Sequence, residues 1–479
     1  MSAGLWTAFE AAAATGGALC ARGGDPDRWI AEEWSAGGIS IDTRSLAPGE
    51  MFVALSDVRD GHEFVVNAFE RGASAALVAR APQNAPEGAP LLVVGDTLEG
   101  LRDLARAARL RNFGKRIAVT GSVGKTSTKE MLRAAFAQAG RVHASDKSFN
   151  NHWGVPLTLA RMPIGADFSV FEIGMNHAGE ITPLTALVTP HVAVITTIGE
   201  AHIENLGSRE NIARAKAEIF LGVEKGGAAI LPIDSDYYGL LASLAKDAKV
   251  ARIITFGESK DADIQLAGYA MRDDGGEVSA RVFGEPFDFS LAAPGRHQAM
   301  NALAVIGAAR ALGVSAARAA SGLKGLAAAQ GRGAQTKLRL PSGGDIVILD
   351  ESYNANPTSM AAAIALLGQM KPRGRGRRIA VLGDMLELGP EAPALHAGLS
   401  DALVAAKVDR LYVAGALMQN LWAAAPEAMR AGAAPGARAL APQVVAGVAD
   451  GDIVMVKGSN ASKVSEIVTA LKAAAPDAA

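Results

Sequence analysis

A single cysteine, Cys20, is present in 479 residues, so neither an internal disulfide nor a thiolate metal cluster can hold this chain together, and a reducing compartment is permitted. An excess of charge of either sign is also missing. The 47 Lys and Arg face 49 Asp and Glu, for a formal net charge of -2, which gives no overall attraction to nucleic acid or to an anionic membrane. Any anion must be bound locally. The N-terminal MSAGLWTAFEAAAATGG has no Lys or Arg ahead of its apolar residues and carries Glu10 early, the wrong layout for a secretory signal. The charge-free stretch 181–199 approaches spanning length, but Pro183, Pro190, His191 and five threonines interrupt it, so it reads as a loop followed by a buried strand. No fixed-period repeat is visible. These absences leave a cytoplasmic globular protein with no nucleic-acid partner and no membrane insertion as the expectation.

With 49% hydrophobic and 20% charged residues, there is material for several cores, and the length suits two to four domains. Residues 1–114 mix strand-like MFVAL, ALVA and LLVVG runs with a helix-like segment at 62–73, the signature of a small α/β unit. The Pro- and Gly-rich residues 82–90 read as a loop inside it, with a linker as the alternative. Across 115–328, strand-like RIAVTG, FSVFEIG, HVAVITTIG and GAAILP alternate with helical patterns, which predicts a doubly wound parallel sheet closed by a helix at 298–313. Residues 325–335 read as the next connection. A third α/β unit, 329–479, carries strand-like runs at 345–350, 377–385, 410–415 and 452–459.

The sharpest motif is Gly121-x-x-Gly124-Lys125-Thr126, entered from an apolar strand and followed by a helical pattern. Glycines let backbone N–H groups wrap an anion, the helix start points free donors at it, Lys125 supplies positive charge and Thr126 a hydroxyl for Mg²⁺. The spacing is shorter than GxxxxGK[ST], because the position five before Gly124 is Val119. A chance strand-to-helix turn would not bring all these residue types together. Phosphoryl chemistry needs carboxylates at neighbouring strand ends. Glu172, after FSVF, is one, with a solvated strand cap as the plain alternative. His202 follows the strand VAVITTI and either binds a cation or caps the strand. Lys216 falls on the helix face of Ile212 and Ile219 or Phe220, where it is either a snorkelling surface lysine or functional. The set Asp350-Glu-Ser-Tyr353-Asn354-Ala-Asn356-Pro357 suggests recognition of a polar ligand, although an Asn-Pro turn accounts for part of it. The basic run 371–378 reads as a solvated loop.

Taken together, these residues resemble the Mur ligase family over nearly the whole length. The matching segments are Ile41-Asp-Thr-Arg44, Asp60-Gly-His-Glu-Phe64, TGSVGKTSTKEM, Asn150-Asn151-His-Trp-Gly-Val-Pro156, Glu172 to Glu180, His202 to Lys216, Gly295 to Asn301, Tyr353-Asn-Ala-Asn356-Pro, Leu-Gly-Asp384-Met-Leu-Glu-Leu-Gly389 and Val-Lys457-Gly-Ser459. The Tyr-Asn-Ala-Asn-Pro element points to the branch that joins D-Ala-D-Ala to UDP-N-acetylmuramoyl-tripeptide, an ATP-dependent step of peptidoglycan precursor synthesis. The resemblance implies three domains: 1–114 for the UDP-sugar, 115–328 as central ATPase, and 329–479 as a Rossmann-like ligase domain. It implies ATP at Gly121, Ser122, Val123, Gly124, Lys125, Thr126 and Ser127, with Asn301 at adenine and Arg332 approaching from the third domain. Two Mg²⁺ would be held by Thr126 and Glu172, and by His202 with a carbamate on Lys216; Lys125, Glu172, His202 and Lys216 would form the catalytic set. Ser40, Thr43 and Arg44 would lie near the uridine diphosphate, and Asn150, Asn151, Tyr353, Asn354 and Asn356 near the substrates. A monomer is the expected state.

Four positions depart from the family pattern: Gln298 for Asn, Glu351 for Asp, His152 for an acidic residue and Asn460 for Arg. They bear on the adenine, ribose and substrate-tail positions, while the phosphate and metal positions keep the pattern. A folylpolyglutamate synthase-like ligase would share the ATPase centre, but the Tyr-Asn-Ala-Asn-Pro and Ile-Asp-Thr-Arg segments argue against it. A nucleotide switch protein would need an Asn-Lys-x-Asp base-reading motif, which the sequence lacks, and would leave the third α/β unit unexplained.

Overall fold

The computed structural model describes residues 4–21, 34–272, 275–341 and 343–474. Three large sheets organise it. The first has five strands in the order Ala18–Ala21, Pro90–Val93, Ala75–Val78, Glu50–Val53, Gly38–Ser40, parallel except for the first pair. Its short strands are consecutive apolar residues with both faces covered, as in Ala75–Val78, which is buried throughout. The helical segment expected at 62–73 begins as a 3-10 turn, Gly61–Phe64, and continues as α-helix Val65–Glu70.

The second sheet has nine strands. Strand Lys115–Thr120 lies between Phe168–Glu172 and Val192–Ile195, parallel to both. Ile117, Ala118 and Val119 have no exposure, which is why this run is uniformly apolar rather than alternating. The chain first builds to one side, through Val142–Ala144 and Phe168–Glu172, and then crosses to the other side at Val192–Ile195. That crossing is a topological switch point, and the carboxyl ends of three strands open around it. Helix Lys125–Ala137 and the closing helix Arg296–Ala311 cover one face.

Two features differ from expectation. Residues 181–199 hold a helix, Ile181–Val188, before the strand Val192–Ile195, where a loop was expected. Pro183 sits in the first helical turn, where its missing N–H costs no hydrogen bond, and the Thr185 hydroxyl donates to the Ile219 carbonyl at 2.8 Å. The sheet also continues beyond Arg252–Gly257 into a meander of Ile264–Arg272, Gly275–Val282 and Glu285–Leu291. Its exposed positions alternate with buried ones, so no long apolar run announces it.

The third sheet runs Ala334–Arg339, Asp345–Glu351, Ile453–Lys457, Arg378–Gly383, Arg410–Ala414, Arg430–Ala434. Only its first pair is antiparallel. Apolar clusters fill both of its faces. The basic run at 371–378 is a loop up to Arg377, which is anchored on Asp452, and its last residue, Arg378, opens the next strand. No helix among the described residues is long and apolar enough to cross a membrane.

Candidate active site

Strand Lys115–Thr120 ends in the turn Gly121–Gly124, and helix Lys125–Ala137 starts at once. Both glycines are required. Gly121 has φ 153° and Gly124 φ 86°, and a Cβ at Gly121 would collide with the Thr196 hydroxyl. At Gly124 a Cβ would stand 2.6 Å from Asn301 Oδ1. The turn is held from the next strand end: Ser122 N–H donates to Thr197 O at 2.8 Å, and Ser122 Oγ lies 3.0 Å from both Gly199 O and Gly199 N. Lys125 Nζ donates to Gly121 O at 2.6 Å. Burial lowers its pKa, with Glu172 opposing and Arg332 reinforcing the shift.

Glu172 is 2% exposed, so it is not a solvated strand cap. Thr126 Oγ1 donates to its Oε2 at 2.8 Å and Asn150 Nδ2 to its Oε1 at 2.8 Å. Thr126 Oγ1 also lies 3.1 Å from Ser148 Oγ, and Ser148 receives Arg332 from the third sheet's side at 3.1 Å. Arg332 stacks on Tyr353 at 3.8 Å. A hydroxyl and a carboxylate paired beside an anion-binding turn match the oxygen donors Mg²⁺ takes when phosphates and water complete its shell. Among the described residues no cluster of three or more His, Cys, Asp and Glu could hold a metal unaided.

His202 has φ 60°, a strained value for a non-glycine residue. Its Nδ1 lies 2.5 Å from Glu387 Oε2, across from the third sheet. That bond puts the proton of a neutral ring on Nδ1 and leaves the Nε2 lone pair for a cation. Burial lowers its pKa first and Lys125 lowers it further, with Glu387 opposing and Lys216 adding to the shift.

Lys216 is 1% exposed, packed on the same helix face as the fully buried Ile212, so it is not a snorkelling surface lysine. Among the described residues it has no hydrogen-bond or ion-pair partner. Burial, reinforced by Lys125, holds its pKa well below the usual lysine value. A lysine adds CO₂ through its uncharged amine, the form that burial favours, and the resulting carbamate would offer oxygens suited to Mg²⁺. Lys125 thus lies close enough to His202 and Lys216 to shift the protonation of both.

These groups surround a cavity of about 810 Å³ between the second and third sheets. Ser122 through Ser127, Asn150, Glu172, His202, Asn301, Arg332, Tyr353, Asn354 and Asn356 line it; Lys216 is not part of the lining. Asn356 caps helix Pro357–Gln369 and points Nδ2 at Ser122 O, 3.5 Å away. Of the remaining expected residues, Asn151 accepts the Gly154 N–H at 2.9 Å and does not reach the cavity. Ser40, Thr43 and Arg44 lie apart from it, at the carboxyl end of the first sheet's edge strand, where the exposed Arg44 pairs with Asp42 at 2.7 Å. Among the departing positions, Gln298 receives Asn301 Nδ2 at 3.3 Å, Glu351 receives Lys457 at 3.3 Å, Asn460 lines the cavity and His152 is exposed.

Sequence reasoning named no role for several lining residues. Lys457, 2% exposed, donates to Glu351 and, at 3.0 Å, to Asn354 O. His297 lies near both, with its pKa lowered by burial. Glu387 would have needed the fold, since 185 residues separate it from His202.

A phosphate-binding turn facing a second α/β domain across one polar cavity defines a nucleotide-using enzyme whose two halves share a site. The chain belongs to the Mur ligase family: residues 119–309 match the Mur ligase middle domain and 338–460 the Mur ligase glutamate ligase domain. It is 37% identical to the UDP-N-acetylmuramoyl-tripeptide--D-alanyl-D-alanine ligase of Bacillus subtilis, over 90% of this chain and 92% of that one. The Escherichia coli protein of the same name is 34% identical, over 91% and 93%. Among solved structures, MurF from Acinetobacter baumannii superposes with a TM-score of 0.83 at 29% identity, over 97% of this chain and 98% of that one. The Thermotoga maritima MurF ligase in complex with ADP superposes at 0.76 and 25% identity, over 91% and 97%.

Proposed function

We propose that the protein joins D-Ala-D-Ala to UDP-N-acetylmuramoyl-tripeptide at the expense of ATP, making a peptidoglycan precursor in the cytoplasm. One observation carries this reading: the phosphate-binding turn and the Tyr353–Asn356 turn, the element typical of this branch, line the same cavity. Residues 1–114 form the UDP-sugar domain, with Ser40, Thr43 and Arg44 near the diphosphate; 115–328 form the ATPase domain and 329–479 the ligase domain. The molecule acts as a monomer.

The chemistry begins with a poor acyl donor. An oxygen of the tripeptide's terminal carboxylate attacks the γ-phosphorus of ATP, the bond to the β-phosphate oxygen breaks, and ADP leaves an acyl phosphate. The turn's N–H groups and Lys125 hold the phosphates in line for this transfer. Thr126 and Glu172 would hold one Mg²⁺, and His202 with a carbamate on Lys216 a second; bound there, they would supply positive charge to the phosphoryl oxygens. The D-Ala-D-Ala amine then attacks the acyl carbon, loses a proton, and inorganic phosphate departs with the C–O bond electrons. Residues 353–356 and Lys457 face the cavity where the amine arrives. Water must be kept from the acyl phosphate meanwhile, and the third domain forms the wall that excludes it.

The reading is tested by measuring phosphate release with UDP-N-acetylmuramoyl peptides ending in diaminopimelate or lysine, each with and without D-Ala-D-Ala, and by mass analysis of the product. A pentapeptide product appearing only when both substrates and ATP are present is expected. Turnover of a pteridine polyglutamate substrate instead would replace this reading with the folylpolyglutamate synthase-like one.

A further inference from the structure

Glu200 belongs to none of the roles above, yet it stands where three parts of the molecule meet. It is 7% exposed. Its Oε1 receives Arg209, the first residue of helix Arg209–Ala217, which carries Lys216. Its Oε2 accepts the hydroxyl of Thr358 at 2.9 Å, in the first turn of the third domain's helix Pro357–Gln369. Its chain neighbour Gly199 is bonded to Ser122 in the phosphate-binding turn. A Cβ on Gly199 would collide with the Thr358 hydroxyl, so the third domain's helix start sits directly on this backbone.

We infer that Glu200 is a positioning residue that seats the third domain against the phosphate-binding turn and the Lys216 helix. A carboxylate can take both bonds at once because its two oxygens point apart. The Arg209 bond lies within the central domain and persists whether or not the third domain is seated. It holds the carboxylate in one rotamer, so that Thr358 meets an acceptor already in place. The Thr358 bond forms only when the Asn356–Pro357 turn has reached Ser122. Glu200 thus links the arrival of the ligase domain to the two elements that carry phosphate and lysine chemistry. Because the residue touches no reacting atom, its loss should act on sequestration of the intermediate rather than on nucleotide binding.

This inference takes its activity readout from the proposed ligation, so the experiment has a second, independent arm. In the first arm, phosphate release and amide product are measured together for the parent, Glu200→Gln, Thr358→Val and Thr358→Ser. The parent and Thr358→Ser, which keeps the hydroxyl, should release about one phosphate per amide. Glu200→Gln and Thr358→Val should release several-fold more phosphate than product as the acyl phosphate meets water, with the KM for ATP within about twofold of the parent. In the second arm, spin labels at Asp261→Cys and Ala423→Cys, both exposed, in a Cys20→Ser background report the interdomain distance. Glu200→Gln and Thr358→Val should broaden or lengthen it, and Thr358→Ser should not. Parent-like coupling and parent-like distances in both folded variants would overturn the inference while leaving the ligase reading intact. If the parent itself makes no amide, the ligase reading fails and the distance arm alone decides the role of Glu200.

Discussion

The central domain meets its two neighbours in opposite ways. Toward the first sheet the contact is apolar and continuous: one core runs from Trp6, Ile39 and Leu104 into Val155, Leu157 and Phe171. Helix Thr97–Leu110 lies against helix Gly154–Ala160, and the polar contacts there end on backbone carbonyls. Trp6 Nε1 donates to Ala160 O at 2.9 Å, Arg161 Nε to Ile39 O at 2.6 Å, and Asn112 Nδ2 to Pro163, Ile164 and Ala166 O. Toward the third sheet, polar contacts gather around the cavity: Arg332 to Ser148, Thr358 to Glu200, His202 to Glu387 and Asn356 Nδ2 to the Ser122 carbonyl. Apolar burial is lost whenever such a surface opens, whereas polar pairs regain hydrogen bonds to water on separation at small net cost. The first junction is therefore built to persist and the second to open and close, with the chemistry at the second.

The largest effect should come at the reactive junction. Lys125→Ala removes the positive charge aimed at the phosphates and should lower ligation about a thousandfold or more, with an unchanged melting profile. A folded Lys125→Ala protein with near-parent turnover would show that the turn does not bind the transferring phosphate. At the persistent junction the order reverses. Trp6→Ala leaves a cavity in the shared core and should cost about 3–5 kcal/mol in denaturant unfolding, while Thr358→Val at the other junction should cost about 1 kcal/mol or less. Equal costs would erase the distinction between the junctions.

How much of this was legible without coordinates follows from the range of each signal. The phosphate-binding turn, Glu172 and the apolar central strands of the two α/β units depend on local spacing and apolar runs, and both survive in sequence. Helix Ile181–Val188 was masked because two prolines and several threonines look like loop until one sees that Pro183 needs no N–H partner. The Glu387 and Glu200 contacts join residues more than 150 positions apart, and no local pattern encodes them. Lys216 is intermediate. Its helical spacing showed the apolar side, but only packing decides between a surface stem and a fully buried amine.

Lys216 supplies the next prediction. Its amine is neutral at pH values where a free lysine is charged, because burial and then Lys125 lower its pKa. Lys216→Ala should lose most activity, about a hundredfold, and acetate, filling the vacated space with a carboxylate, should restore part of it. Removing dissolved CO₂ should slow the parent reversibly. Full activity of Lys216→Ala without added acid would leave the lysine with a packing role alone.

A further test reads the central domain's own sheet by pH. His191 begins the stretch that enters strand Val192–Ile195, and its Nδ1 accepts the Arg116 backbone N–H at 3.1 Å, so that nitrogen must keep its lone pair. Burial, then the Arg116 and Lys115 charges, lower its pKa from 6.5 to about 4. In the folded protein the ring thus stays neutral down to about pH 4, while the unfolded chain takes up a proton near pH 6.5. Between these values the unfolded state binds more protons, so stability falls as pH drops through the window. The ring is only partly buried, and with solvent screening allowed for, the loss is about 1–2 kcal/mol. His191→Asn offers Oδ1 as the acceptor and cannot be protonated there. Urea unfolding of parent and variant at pH 7 and pH 4 should show the variant gaining about 1–2 kcal/mol relative to the parent on acidification. A difference that does not change with pH would mean that Arg116 is held by the strand ladder without help from the neutral imidazole, and that acid lowers stability elsewhere.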